Sequence, residues 1–132
     1  MLSASRKRRE KMAESPDMLN WTFVSECDIP KDAADVMVPG EKAVAAYKTV
    51  RDVAIITDKR LIMRDAQGIT GKKVEVYSLP WKSVDMWSSE NQGHFDINSE
   101  LEFWTRAGHV KLKLQGKVDV RRLDRVIGQY VL

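Results

Sequence analysis

The sequence predicts a mainly β domain with one helix. Its expected form is a bent antiparallel sheet of seven strands, or partly open barrel, capped by a C-terminal α-helix and preceded by short N-terminal helices. Three observations carry this. From Glu41 onward apolar residues recur with period two for about 75 residues. The connections between these runs are short enough for hairpins. Over 119–132 the period changes to that of a helix.

The elements follow in chain order. Ser15-Pro16-Asp17 supplies a cap and a proline at a first helical position, and Met18, Leu19 and Phe23 fit one helical stripe. Pro30 opens a second short helical segment that Pro39-Gly40 ends. Strands are expected at 43–49, 53–57, 60–64, 73–79, 83–89, 97–105 and 109–115. In the sixth, Ile97, Leu101 and Phe103 alternate with Glu100 and Glu102. In the seventh, Val110, Leu112 and Leu114 point inward and the lysines outward, with Ala107-Gly108 making the turn between them. Asp58-Lys59 suits a tight turn, because Asp tolerates unusual dihedrals. Pro80 suits a strand end or an edge that needs no amide donor. In the final segment Val120, Leu123, Val126, Ile127, Tyr130 and Val131 fall on one helical face, with Asp119 as N-cap.

The chain has 132 residues, which fits a single domain over 17–132 preceded by a basic extension at 1–16. One cysteine, Cys27, allows no intrachain disulfide, and with only His94 and His109 a Cys/His metal centre cannot be assembled from one chain. The net charge of +3 belongs to the extension, where Arg6, Lys7, Arg8, Arg9 and Lys11 face only Glu10 and Glu14. The remaining residues carry 17 basic and 17 acidic side chains. Nucleic-acid binding by the domain is therefore not expected, since it requires Lys and Arg concentrated on one face. No apolar stretch follows the basic run as an export signal requires, and none is long enough to span a bilayer, so a cytoplasmic location is expected. The five basic residues of the extension are candidates for weak, salt-sensitive contact with anionic lipid head groups.

Motifs that could carry chemistry are incomplete in this sequence. Gly68-Ile69-Thr70-Gly71-Lys72-Lys73 resembles a phosphate loop, but that motif needs glycine where Ala66 stands and Ser or Thr where Lys73 stands. Glu90, His94, Asp96 and Glu100 lie around a turn-rich hairpin with a single nitrogen ligand, poor provision for zinc. Cys27 sits between Glu26 and Asp28, a setting that raises a thiol pKa. No catalytic residue, metal or cofactor is expected, and the chain reads as a non-enzyme.

The tryptophans are more informative. Alternation sends Val84 and Met86 inward and Trp87 outward, while Trp104 shares the outward parity of Glu100 and Glu102. Two outward tryptophans on adjacent strands mark either a subunit interface or a face covered by the chain's own segments.

The motifs Pro39-Gly40-Glu41, Ala46-Tyr47-Lys48, Val50-Arg51-Asp52, Thr57-Asp58-Lys59-Arg60-Leu61-Ile62, 67–75, Leu79-Pro80-Trp81-Lys82-Ser83-Val84, Gly93-His94-Phe95-Asp96 and Glu100-Leu101 occur in this order. Over roughly residues 30–132 the chain resembles the bacterial pleckstrin-homology (PH) domain family. The resemblance implies a PH-like β-barrel and a non-enzymatic module that acts through ring-like homo-oligomers and protein–protein interaction with an unknown partner. It favours Trp87 and Trp104 as interface residues. Peripheral binding of anionic lipids through the basic extension is the alternative function. The first strand–turn–strand loop, Val50-Arg51-Asp52, is too short and too poor in basic residues for the inositol-phosphate motif of eukaryotic relatives, so lipid binding is not inherited with the fold.

Overall fold

The computed structural model describes residues 18–67, 73–91 and 98–132. Eight strands lie in these segments: β1 (Met18–Cys27), β2 (Ala43–Thr49), β3 (Val53–Thr57), β4 (Arg60–Gln67), β5 (Lys73–Pro80), β6 (Val84–Glu90), β7 (Ser99–Thr105) and β8 (Gly108–Leu114). Helix α1 (Val120–Val131) follows, and 3-10 turns occupy Ala33–Val36 and Trp81–Ser83. The expected strands from residue 43 onward all form, with ends shifted by at most a few residues. Ile97 lies outside the described residues.

The expectation of a helix at the start of the domain is corrected. Met18–Cys27 is a strand inserted between β2 and β8 in a single sheet of order β5-β4-β3-β2-β1-β8-β7-β6. Its first half runs parallel to β8, from Met18 opposite His109 to Phe23 opposite Leu114. After a bulge between Phe23 and Ser25 its second half runs antiparallel to β2. The stripe Met18, Leu19, Phe23 fits a helix, but Leu19, Trp21, Phe23 fits period two equally well. Pairing with two strands then outweighs a weak helical preference, and Trp, Thr, Phe and Val in Trp21–Val24 suit a pleated surface. The second expected helix is only the four-residue 3-10 turn Ala33–Val36.

Curling this sheet brings its apolar face inward. Phe23, Ile56, Leu61, Trp81, Leu101, Phe103, Leu112 and Leu114 are inaccessible or nearly so, together with Leu123 and Ile127 from α1. Each such side chain contributes about 1.5–3 kcal/mol of burial. The rings of Phe23 and Tyr47 stack at 5.0 Å, and Trp81 tilts against Phe103 at 5.9 Å. Helix α1 starts at Asp119, whose carboxylate accepts the Arg122 backbone N–H at 3.1 Å, as its N-cap position requires.

The outer face of β3 and β4 is covered as well. Ala33, Val36 and Met37 pack on Ile55 and Ile62, so all five residues of β3 are buried. A buried ionic node fixes this cover. Glu41, whose side chain is inaccessible, accepts the Thr57 hydroxyl at 2.6 Å and Arg60 Nε at 2.9 Å on Oε2. Its Oε1 accepts Arg60 Nη2 at 2.9 Å and the Val38 N–H at 3.0 Å. Arg60 Nη2 also donates to the Val36 carbonyl, and Trp81 Nε1 donates to the Thr57 carbonyl at 2.8 Å. One carboxylate thus joins the cover to the β3–β4 turn, and the Thr57 carbonyl in turn holds the first residue of the second 3-10 turn. Gly40, with φ of 85°, makes the left-handed turn that delivers Glu41 to this position. Asp58, by contrast, needs no unusual dihedral, as no described non-glycine residue has positive φ. Its carboxylate accepts the Lys42 N–H at 3.0 Å, tying the β3–β4 turn to the segment entering β2.

The hydrogen bonds from Arg60, with those from Thr57 and the Val38 N–H, hold the Glu41 carboxyl down to about 2 against the opposing effect of burial. A carboxyl depressed in the folded state stabilises it above the ordinary value of 4.5, and that contribution fades as pH falls from there towards about 2. Glu41→Gln is expected to cost about 3 kcal/mol at neutral pH, because Arg60 keeps its charge in a largely buried site. Urea titrations at pH 7 and pH 3 check this: the wild-type midpoint should fall sharply at pH 3, and the variant's midpoint should move much less.

Candidate interaction surface

The two tryptophans singled out from the sequence lie on opposite faces of the sheet. A bulge between Val84 and Met86 adds one residue to β6, and parity changes there. Val84 is buried as expected, but Met86 then turns outward at 54% exposure and Trp87 turns inward, opposite the buried Phe103. The expectation of an outward Trp87 is thereby corrected. Its indole Nε1 donates to Asp124 of α1 at 2.8 Å, and its ring lies against Gly128. Trp87 joins the helix to the sheet within its own chain. The sequence held one hint of this: Gly128 on α1 leaves room for a large ring.

Trp104 keeps its expected side. It lies opposite Met86 on β6 and His109 on β8, and its ring stacks on the imidazole at 5.9 Å with an interplanar angle of 18°. His109 Nε2 also lies 3.2 Å from Glu102 Oε2. Behind this row runs a second, Ser88–Glu102–Lys111–Asn20, and a third, Glu90–Glu100–Lys113–Thr22, with Lys111 and Glu100 paired at 3.4 Å. The outer face of β6–β8 is therefore an apolar and aromatic strip bordered by charges of both signs. The described helix lies on the other side of these strands, against Trp87 and the core.

The remaining features hold little reactive chemistry. The β2–β3 hairpin is closed by Thr49, whose N–H donates to the Asp52 carbonyl at 3.1 Å and whose hydroxyl accepts the Asp52 N–H at 3.0 Å. Beside it is a cleft of about 350 Å³ floored by Trp21 and Met63. Its cations are matched by carboxylates: Arg64 bonds Asp52 at 2.9 Å and Asp32 at 3.1 Å, and Arg51 lies 3.7 Å from Asp65. This balance gives a phosphate no concentrated positive charge. Burial, aided by Asp28 and Glu26 and opposed by Lys48, pushes the Cys27 thiol pKa up. Among the described residues no group of three His, Cys, Asp or Glu side chains is placed to hold a metal, and no helix is long and apolar enough to cross a membrane. Arg6, Lys7, Arg8, Arg9 and Lys11 lie outside the described residues, as do His94, Asp96 and the segment 68–72.

Comparison with known proteins agrees with the geometry. A sequence model of the bacterial PH domain family matches residues 13–131, so the similarity begins well ahead of residue 30 and includes β1. YjqA, an uncharacterized protein of Bacillus subtilis, is 47% identical over 85 residues, which cover 64% of this chain and 68% of that protein. A crystal structure of a pleckstrin-homology-domain protein from Shewanella loihica superposes with a TM-score of 0.74 at 31% identity, covering 82% of this chain and 97% of the other. A pleckstrin-homology domain from Shewanella amazonensis gives 0.65 at 37% identity, covering 82% and 91%.

Opposite placement of the two tryptophans has a measurable consequence. Trp87→Ala is expected to destabilise the fold by about 3 kcal/mol, as removal of a large packed ring does. Trp104→Ala should stay within about 1 kcal/mol of wild type, and denaturant titration under dilute conditions separates the two. Gly128→Ala should stabilise by about 0.5–1 kcal/mol through helix propensity, since a Cβ there meets the Trp87 ring at an ordinary 3.5 Å.

Proposed function

Because the chain belongs to the bacterial PH domain family, we propose that it is a non-enzymatic binding and scaffold module that self-associates and engages another protein. The observation that carries this reading is the outer face of β6–β8, where Met86, Trp104 and His109 form one row across three strands. Aromatic and Met side chains ringed by charge are the composition of interface cores. Side chains able to do chemistry are occupied elsewhere: Glu41, Arg60, Asp52 and Arg64 are committed to ion pairs, and burial raises the Cys27 thiol pKa. Trp104 remains the interface residue of this reading, with Met86 taking the place that parity alone gives to Trp87.

Multi-angle light scattering at tens of micromolar protein tests it. The wild-type chain should have a mass that is a multiple of 15.1 kDa. Met86→Glu/Trp104→Glu should lower that mass while leaving the circular dichroism and thermal midpoint close to wild type. A strictly monomeric wild type contradicts self-association, and an unchanged mass in the double variant removes this face from it.

A further inference from the structure

The sheet leaves a gap beside β1. Strand β2 ends at Thr49, opposite Phe23, so residues 18–22 pair with β8 on one side and have no described strand on the other. The cleft beside the β2–β3 hairpin fills this gap. It is lined by residues 20–22 of β1, 49–51 of the hairpin and 63–65 of β4. Its volume of about 350 Å³ is that of a site for a small ligand or a single side chain. One lining residue has an unmet requirement. Asp65 Oδ1 is shut off from solvent and accepts no hydrogen bond, the only buried side-chain atom of this kind among the described residues. A buried acceptor without a donor is costly, so its presence calls for a physical explanation.

The chain's own cations do not meet this requirement. Arg64 is turned to Asp52 and Asp32. Arg51 Nη1 lies 3.7 Å from Asp65 Oδ1, too far for a hydrogen bond, on a side chain that is 63% exposed. The charge of Asp65 is thus balanced at a distance while its capacity to accept is not used. Apolar contact is provided beside it. Trp21 and Met63 floor the cleft, and the Trp21 ring is held against Tyr77 at 5.4 Å. An indole attracts a cation placed over its face, and methionine adapts to the shape of what lies on it. We infer that the cleft binds an organic cation, a protonated amine or guanidinium on a short hydrocarbon stem. Its N–H groups donate to the Asp65 carboxylate while the stem lies on Trp21 and Met63. The head group takes the place of the Arg51 guanidinium, which moves out into water. A charged donor is favoured over a neutral one because N–H bonds from a cation to a carboxylate are about twice as strong. A free amine and a basic side chain of another polypeptide share this chemistry. The site is complete within one chain, so it goes beyond the self-association reading and does not depend on it.

Titrations of the isotope-labelled full chain, followed by NMR, test this. The probes are pentylamine, agmatine and the tripeptide N-acetyl-glycyl-lysyl-glycinamide, with pentanol as the neutral control. The backbone amides of Thr22, Arg51 and Asp65 should shift saturably, with a Kd of about 1 mM or tighter for at least one cation. Pentanol should bind about tenfold more weakly than pentylamine. Saturation by the free amines alone assigns a small amine as ligand, and saturation by the tripeptide assigns a basic side chain of a polypeptide. Asp65→Asn keeps the shape of the side chain and should weaken pentylamine about tenfold. Arg51→Gln removes the competing cation and should tighten it about twofold. Should Asp65→Asn fail to fold, Arg51→Gln and the pentanol control decide. Absence of saturable shifts with every cation overturns the site. So does pentanol binding as tightly as pentylamine, a folded Asp65→Asn that binds like wild type, or an Arg51→Gln that binds more weakly.

Discussion

An eight-stranded sheet that curls around a core without joining its first and last strands must deal with two sets of unpaired backbone groups. Closure at the seam falls to elements other than strands. The 3-10 turn Trp81–Ser83 links β5 to β6 covalently, the Trp81 ring fills the core beneath it, and α1 packs against β6 and β7 through Trp87. A slot of about 180 Å³ between Leu79 of β5 and the β7–β8 turn, lined also by Trp21, Tyr77 and Val110, marks where the seam stays open.

Electrostatics in this molecule serve mainly to fasten segments. Glu41 binds the segment before β2 to the β3–β4 turn, Arg64 joins Asp32 to Asp52, and Arg122 of α1 pairs with Glu26 of β1. With Arg64 committed in this way, and Arg51 beside Asp65, the cleft beside the β2–β3 hairpin is charge-compensated. What is left with unspent capacity is the apolar strip through Met86 and Trp104 and the buried Oδ1 of Asp65. Neither suits the binding of a small anion.

Much of the fold was legible because period-two alternation is strong where one face of a sheet meets the core. Strands β2 and β3 have the expected limits, and the burial of Leu101, Phe103, Leu112, Leu114, Leu123 and Ile127 follows directly from the pattern. Strand β1 is ambiguous in the sequence because Met18, Leu19 and Phe23 fit a helical stripe while Leu19, Trp21 and Phe23 fit period two, and only long-range pairing with β8 and β2 decides between them. The Trp87 error has a narrower cause. A bulge shifts parity by one residue, and nothing in Val84-Asp85-Met86 announces it. The edge at β5 was partly visible, since Pro80 suits a strand that needs no amide donor on one side. The Glu41–Arg60 node leaves no mark in the sequence, because its partners lie 19 residues apart and come together only through the β3–β4 turn.

The proposed self-association through the outer face of β6–β8 would make the exchange of particular amides depend on protein concentration. Amide hydrogen exchange on the wild-type chain, compared at submicromolar and tens of micromolar concentrations, measures this directly. The account predicts that Met86, Trp104 and His109 gain protection at the higher concentration while Ile56 and Leu112 in the core do not change. Identical exchange at the two concentrations, from a chain of unchanging mass, would contradict it.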